Sequence, residues 1–406
     1  MAVLTKPLEC AKQQLTVESH DWKAWPQIAK AWSTITDACE HPTFFLLPEA
    51  VETWVATFGA RLHPLFLLFR TRDRDSVGAC IIVRRTERRG PFLVRRVYLN
   101  TAGEDEGDSP CIEYNELLCM PGYEASMARA LRAHLDDQSA QHPWDELQAP
   151  GMLDGPSLRA LQATFGEARE IDDVKASYYV DLAELRKRGK DYVDKLPSRE
   201  RTRLRQNIRK YSEIGELQLD EARTTLEALE YLDALADLHQ RTWTSRGERG
   251  AFASPTFYDY HRRLIGRCFS LGRVQLLRLR AGDETIGYHY NFVFGGESYF
   301  YQCGYDYALG AKLSPGATLH RFAIHRAAEQ GLQKYEFMAG DVEYKRRLAT
   351  GSRKMHWIAW QAPTTKMKAF ELVRRTKRAL VGRIDELRAA MVASLRGLVM
   401  KLRGQE

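Results

Sequence analysis

The chain lacks any arrangement of cysteines that would turn thiols into chemistry. Its seven cysteines, at positions 10, 39, 80, 111, 119, 268 and 303, form no CxxC pair and no Cys/His spacing of a zinc site. An odd, scattered set reads as reduced thiols, which predicts a cytoplasmic setting and no metal. No window comes near eighteen uninterrupted apolar residues, so no spanning helix is expected. Met1 to Asp21 carries Lys6, Glu9 and Lys12 without an apolar run of signal-peptide length, so no secretory leader is expected either. A GxSxG elbow is also missing, and no Cys/His pairing suggests a covalent catalyst. The body even lacks net charge. Thr364–Glu406 holds eleven Lys/Arg against four Asp/Glu, so this tail carries the whole +7 of the chain. A neutral body argues against a nucleic-acid groove, which needs a basic surface of its own.

What is present is ordinary globular composition over 406 residues, 44% hydrophobic and 28% charged, enough for two or three domains. Residues 21–38 and 48–58 read as helices, and 65–71, 76–84 and 95–101 as strands. A Gly/Asp/Glu-rich loop, Ala102–Ser109, precedes a helical pattern over 123–136. The second half repeats the plan. A basic helical stretch over 182–211 and a helix over 226–246 lead into strands at 274–280, 285–294 and 297–306. Ser76-Val77-Gly78 falls where Thr285-Ile286-Gly287 falls, and Pro121-Gly122 echoes Pro315-Gly316, which favours two copies of one fold. The expected division is 1–180, 181–362 and a tail at 363–406. The fold class is α/β, with two mixed, mostly antiparallel sheets flanked by helices.

The most informative segment runs from Tyr305 to Lys345. A strand ends near Asp306, and a small-residue loop, Ser314-Pro315-Gly316-Ala317-Thr318, opens a helix that a further strand follows. The first turn of a helix leaves N–H groups unpaired at the positive end of its dipole, where a pyrophosphate can sit; the same residues also serve as a plain N-terminal cap. His289 and Asn291 share one face of the central strand, and His289 is either a general base or a core histidine. Asp306 is either a site residue or the cap of the turn after it. Arg199, Arg203 and neighbouring basic residues suit an acidic acceptor or a carrier's phosphates, or else form a solvated helix face. Trp243 reads as core more readily than as a ligand platform.

Hairpin, third strand, small-residue loop, helix and strand, in that order, resemble the core of the GNAT acetyltransferases. Within them the chain is similar to the CelD/BcsL-type proteins associated with cellulose and other exopolysaccharides. The matching residues are Ser198-Arg199, Arg203 and Arg209; His239, Trp243 and Arg246-Gly247; Tyr305-Asp306; Ser314-Pro315-Gly316; and Gly340 with Tyr344-Lys345. A more distant similarity is to the Fem-type peptidoglycan aminoacyltransferases, which pair two GNAT-like domains. The GNAT pyrophosphate loop reads Gln/Arg-x-x-Gly-x-Gly/Ala, and Leu313 and Thr318 depart from it at its ends. The resemblance implies transfer of an acyl group from acyl-CoA to an amine or hydroxyl of a carbohydrate-related acceptor. It places Tyr344 and Lys345 at the catalytic cleft and Trp243 and Arg246 over a pocket. Two alternatives accompany it: a Fem-like transferase fed by aminoacyl-tRNA, and a catalytically silent scaffold recruited by its tail to a membrane synthase.

The tail has apolar residues at 367, 370, 373, 380, 384, 387, 391, 395, 398 and 402, one stripe of an amphipathic helix with Arg and Lys opposite. Packing on the body or on a second subunit is the favoured use; contact with the inner membrane face is the other.

Overall fold

Two runs of apolar and aromatic residues, each broken by a short charged turn, build two hairpins around which the rest of the chain is arranged. The computed structural model describes residues 13–40, 42–171, 174–189, 191–310 and 313–374, with 376 and 383. The first half runs β1 (Thr16–Asp21), α1 (Trp25–Ala38), α2 (Pro48–Leu62), β2 (Leu65–Arg70), β3 (Ser76–Arg89), β4 (Phe92–Leu99), β5 (Leu118–Cys119), α3 (Glu124–Asp137), β6 (Glu146–Leu153), α4 (Pro156–Phe165), β7 (Arg169–Glu170) and β8 (Lys175–Asp181). Three linking helices follow, α5 (Leu182–Lys187), α6 (Tyr192–Lys195) and α7 (Ser198–Ser212). The second half runs β9 (Leu217–Glu221), α8 (Thr225–Ser245), α9 (Pro255–Cys268), β10 (Val274–Ala281), β11 (Glu284–Phe294), β12 (Glu297–Tyr305), α10 (Pro315–Glu329), β13 (Lys334–Ala339), α11 (Glu343–Leu348) and β14 (Gly351–Gln361). The basic stretch expected as one helix over 182–211 is three, because Gly189 takes a positive φ and Pro197 has no N–H to continue a helix.

The strands form one sheet in the order β1-β2-β3-β4-β6-β14-β8-β13-β12-β11-β10-β9. Read from its two edges this order is the same series: strand and two helices, antiparallel triplet, helix, then a strand parallel to the last of the triplet. The repeat suggested by the two Gly-containing strands is thus present throughout. The halves also exchange their last strands. β8 pairs with β13, and β14 pairs with β6 as well as with β8, so strands cross the division near residue 180. One apolar core joins the halves on a single face, where α1, α2, α8 and α9 pack on both hairpins. There Phe44 stacks on Phe292 with ring centroids 4.0 Å apart. Each half has a second core on the other face. The fold is mixed α/β, a large and mostly antiparallel sheet flanked by helices.

Residues 365–374 are helical. Met367 and Phe370 are buried against Val94 and Phe92, and Lys366 reaches the buried Asp145 carboxylate and Leu93 O. The start of the tail therefore packs on the body; the stripe from 380 to 402 lies outside the described residues. Phe370→Ala should destabilise the protein by about 2 kcal/mol, an edge-of-core value. Leu372, which is 66% exposed, should tolerate alanine within about 0.5 kcal/mol. Equal urea midpoints for the two variants would contradict this docking.

Candidate active site

The site begins where two parallel strands separate. β12 and β13 are paired only from Glu297 to Tyr299 and from Lys334 to Glu336. Beyond that point β12 stays with β11, whereas β13 bends away through Met338 and Gly340, with φ of 60° and 125°. The backbone groups of β13 that β12 leaves behind are taken by side chains. Lys345 Nζ donates to Ala339 O (2.6 Å) and Met338 O (3.3 Å), and the Ala339 N–H donates to Glu113 Oε2 (2.9 Å). Glu113 comes from the first half, so both repeats meet here.

Two clefts open onto this point. One, of about 620 Å³, is walled by α7, α8, the end of β12, residues 313–317 and α11. The other, of about 600 Å³, is walled by residues 106–113 of the first half, residues 249–251, Phe300–Cys303 and the end of β13. They share Cys303, Tyr344 and Lys345. In the first cleft Arg203 donates to Ser314 Oγ (3.1 Å), which ties the basic helix to the small-residue loop. The acidic loop of the second is held to both halves, since Asp108 accepts from Arg61 (2.8 Å) and from Ser254 Oγ (2.6 Å).

Burial sets the protonation states. It pushes the Glu113 carboxyl above its usual range, against the opposing pull of the Ala339 N–H and the Lys345 and Lys175 charges. It lowers the Lys345 ammonium, against the attraction of Glu113. It lifts the Cys303 thiol to about 11, so this sulfur stays protonated and is no nucleophile at neutral pH. It drives His320 down to about 3 and His239 to about 4. His289 also falls well below an ordinary histidine, through burial first and the nearby His320 second. All three are neutral and poorly matched to proton removal at neutral pH.

The structure brings together much of what the sequence suggested and separates the rest. Ser314, Pro315, Gly316, Ala317, Tyr344, Lys345, Arg203 and Arg246 line the first cleft. Trp243 lies there too and is 38% exposed, which corrects its assignment to the core; the Arg246 guanidinium sits 5.8 Å from its ring centre. Thr318 is off the wall. Its N–H and hydroxyl both turn back to Ser314 O, so it closes the cap and offers nothing to a ligand. Arg199 is exposed and outside the cleft lining. Asp306 is also outside, because its carboxylate accepts from the Ala308 N–H (2.8 Å) and caps the turn. His289 is fully buried behind Tyr305, whose hydroxyl it meets at 2.8 Å, and His320, 4.6 Å away between ring centres, and does not itself line the cleft. Gly316 has a packing reason as well as room for a ligand, since a Cβ there would lie 3.1 Å from the Tyr305 ring. The residues that sequence reasoning missed are Glu113 and Cys303. Cys303 stood within a recognised strand, two residues before Tyr305, but Glu113 carries no local signal at all.

Among the described residues no group of His, Cys, Asp or Glu converges as metal ligands do, and no helix is long and apolar enough to cross a membrane. The chain matches no curated protein. Its backbone is similar to the crystal structure of FemX (TM-score 0.55, 10% identity, 85% of this chain and 98% of that one). It is similar as well to a conserved protein of unknown function from Bacteroides thetaiotaomicron (TM-score 0.52, 10% identity, 82% and 97%). At such identities these likenesses concern the fold. Residues 198–346 match the acetyltransferase (GNAT) domain family. That segment contains α7, the small-residue loop, α10 and the Tyr344-Lys345 pair, and the chain that carries this GNAT domain is an acyltransferase.

Proposed function

We propose that the chain moves an acyl group from acyl-CoA, held in the first cleft, to an amine or hydroxyl of a polar, carbohydrate-related acceptor that enters the second. The observation that carries this is the meeting of two clefts at Cys303, Tyr344 and Lys345, where parting strands leave backbone groups of β13 in the hands of a lysine and a carboxylate. The residues present suit the donor. The first turn of α10 offers its backbone N–H groups, which no Ser314 side-chain cap takes up, and the positive end of a helix dipole to a pyrophosphate, with Arg203 beside it. Acyl transfer then requires removal of one proton from the acceptor and stabilisation of one developing oxyanion. Glu113, raised by burial, takes the proton. Lys345 faces the oxygen of the tetrahedral intermediate, and the carbon–sulfur bond breaks as the carbonyl re-forms and the CoA thiolate leaves. With Cys303 protonated, transfer is direct. In this reading the repeats at 1–180 and 181–362 divide the labour, the second holding the donor and the first walling the acceptor.

CoA should raise the melting temperature of the full chain, because a ligand that binds only the folded state must stabilise it. Arg203 is exposed, so Arg203→Ala should fold normally and weaken CoA about tenfold, the scale of one charge-assisted contact. A chain that ignores CoA and acyl-CoAs but binds tRNA in a salt-sensitive way would overturn the donor and favour aminoacyl-tRNA.

A further inference from the structure

The first half has the same parting strands. β4 and β6 pair in parallel from Arg96 to Tyr98 and from Glu146 to Gln148, and then separate as β12 and β13 do. The gap between them is not open. Residues 112–119 thread through it. The Asn115 N–H donates to Gly151 O (2.9 Å), and Asn115 forms a parallel bridge with Met152, giving β6 the partner that β4 has ceased to be. The Asn115 side chain spans to the other wall. Its Nδ2 donates to Leu99 O (3.2 Å), and its Oδ1 accepts from Asn100 Nδ2 (2.7 Å). Leu118 and Cys119 then pair with β3. The fit is close: Gly151 has φ of 70°, and a Cβ there would lie 2.6 Å from Ile112 O. Asn115 itself is 2% exposed. Two residues earlier the same segment faces the second half, where Glu113 accepts from Ala339 and the Tyr114 hydroxyl donates to Glu336 Oε2 (3.3 Å), while also meeting Ser177 Oγ of the exchanged strand β8 at 2.9 Å.

We infer that residues 112–119 close the acyl-donor slot of the first half, and that Asn115 is a positioning residue that holds Glu113 at the transfer centre of the second. The inference rests on the site proposed above for the second half. A donor arm needs free backbone edges between parted strands, and in the first half Asn115 has used them. The chain therefore binds one acyl-CoA, not two, and the segment that silences one site equips the other. Asn115 satisfies buried polar groups on both walls, so without it Glu113 is no longer held against Ala339 and gains water.

The test uses the full chain and needs no turnover. In protein carrying carboxyl-labelled glutamate, with Glu113 assigned through Glu113→Gln, carbon NMR should show Glu113 titrating above an ordinary glutamate. In Asn115→Ala that midpoint should fall by about half a pH unit or more, while CoA affinity by calorimetry stays within about twofold. An unchanged Glu113 midpoint in a folded Asn115→Ala protein overturns the positioning role. The closed slot is tested on the wild type, so it survives any folding defect of the variant: titration with CoA should give one site per chain, and Arg203→Glu should remove it. Two sites, or one that Arg203→Glu leaves intact, overturn the closure. Absence of CoA binding removes the proposed donor instead, and the Glu113 titration still decides the role of Asn115. With an active assay, Asn115→Ala should lower kcat and leave the donor KM unchanged.

Discussion

Lys345→Met should lower turnover about a hundredfold, the scale of losing one donor to a developing oxyanion, while changing CoA affinity much less. The side chain is nearly buried, with its ammonium against Ala339 O and Met338 O in the gap between β12 and β13. Methionine keeps the length and apolar body of lysine, so the variant separates lost charge from lost packing. The pH dependence sharpens the expectation. Burial lowers the Lys345 ammonium, so the wild-type rate should fall at alkaline pH as that proton leaves, below the pH at which an ordinary lysine titrates. The variant loses that alkaline limb. Its acid limb moves to higher pH, because the Lys345 charge is one of the groups holding the Glu113 pKa down. A Lys345→Met enzyme with wild-type kcat and both limbs in place would remove Lys345 from the chemistry.

Glu113→Gln should lower kcat/KM by about a hundredfold to a thousandfold, within the range of a lost general base. The amide can still accept from the Ala339 N–H, so the local fold is kept and only proton acceptance is lost. The sign follows from the raised carboxyl. Only the ionised form takes a proton, so the wild-type rate should rise with pH through a midpoint above that of an ordinary glutamate and be lost below it. The glutamine variant should be slow and flat across that range. A variant that keeps the acid limb would assign it to another group. His289 is not that group, since its burial beneath Tyr305 keeps it neutral far below neutral pH.

Much of the second half was legible residue by residue because its signals are local. Apolar hairpin strands, Ser-Pro-Gly at a helix start, and Tyr-Lys after a glycine each depend on neighbours a few positions away. These features brought the small-residue loop, Arg203, Arg246, Tyr344 and Lys345 to one cleft. Local reading misled where a residue had a nearer partner than the site. Asp306 is spent on the Ala308 N–H, two residues on. Thr318 is spent on Ser314 O, one helical turn back. Whether a tryptophan at helical spacing faces core or cleft depends on what lies opposite, and only packing placed Trp243 on a wall.

The sequence by itself determined the α/β class, the two repeats, the small-residue loop opening a helix, and a tail that carries the net charge. Periodicity, turn chemistry and charge are written along the chain, so these needed no third dimension. Only the tertiary structure decided that the repeats exchange β8 and β14 across one sheet, and that Glu113 lies beside Ala339, more than two hundred positions away. Strand exchange is a choice among edges with the same hydrogen-bonding groups. A carboxylate acquires its chemistry from burial and from the charge beside it, and folding supplies both.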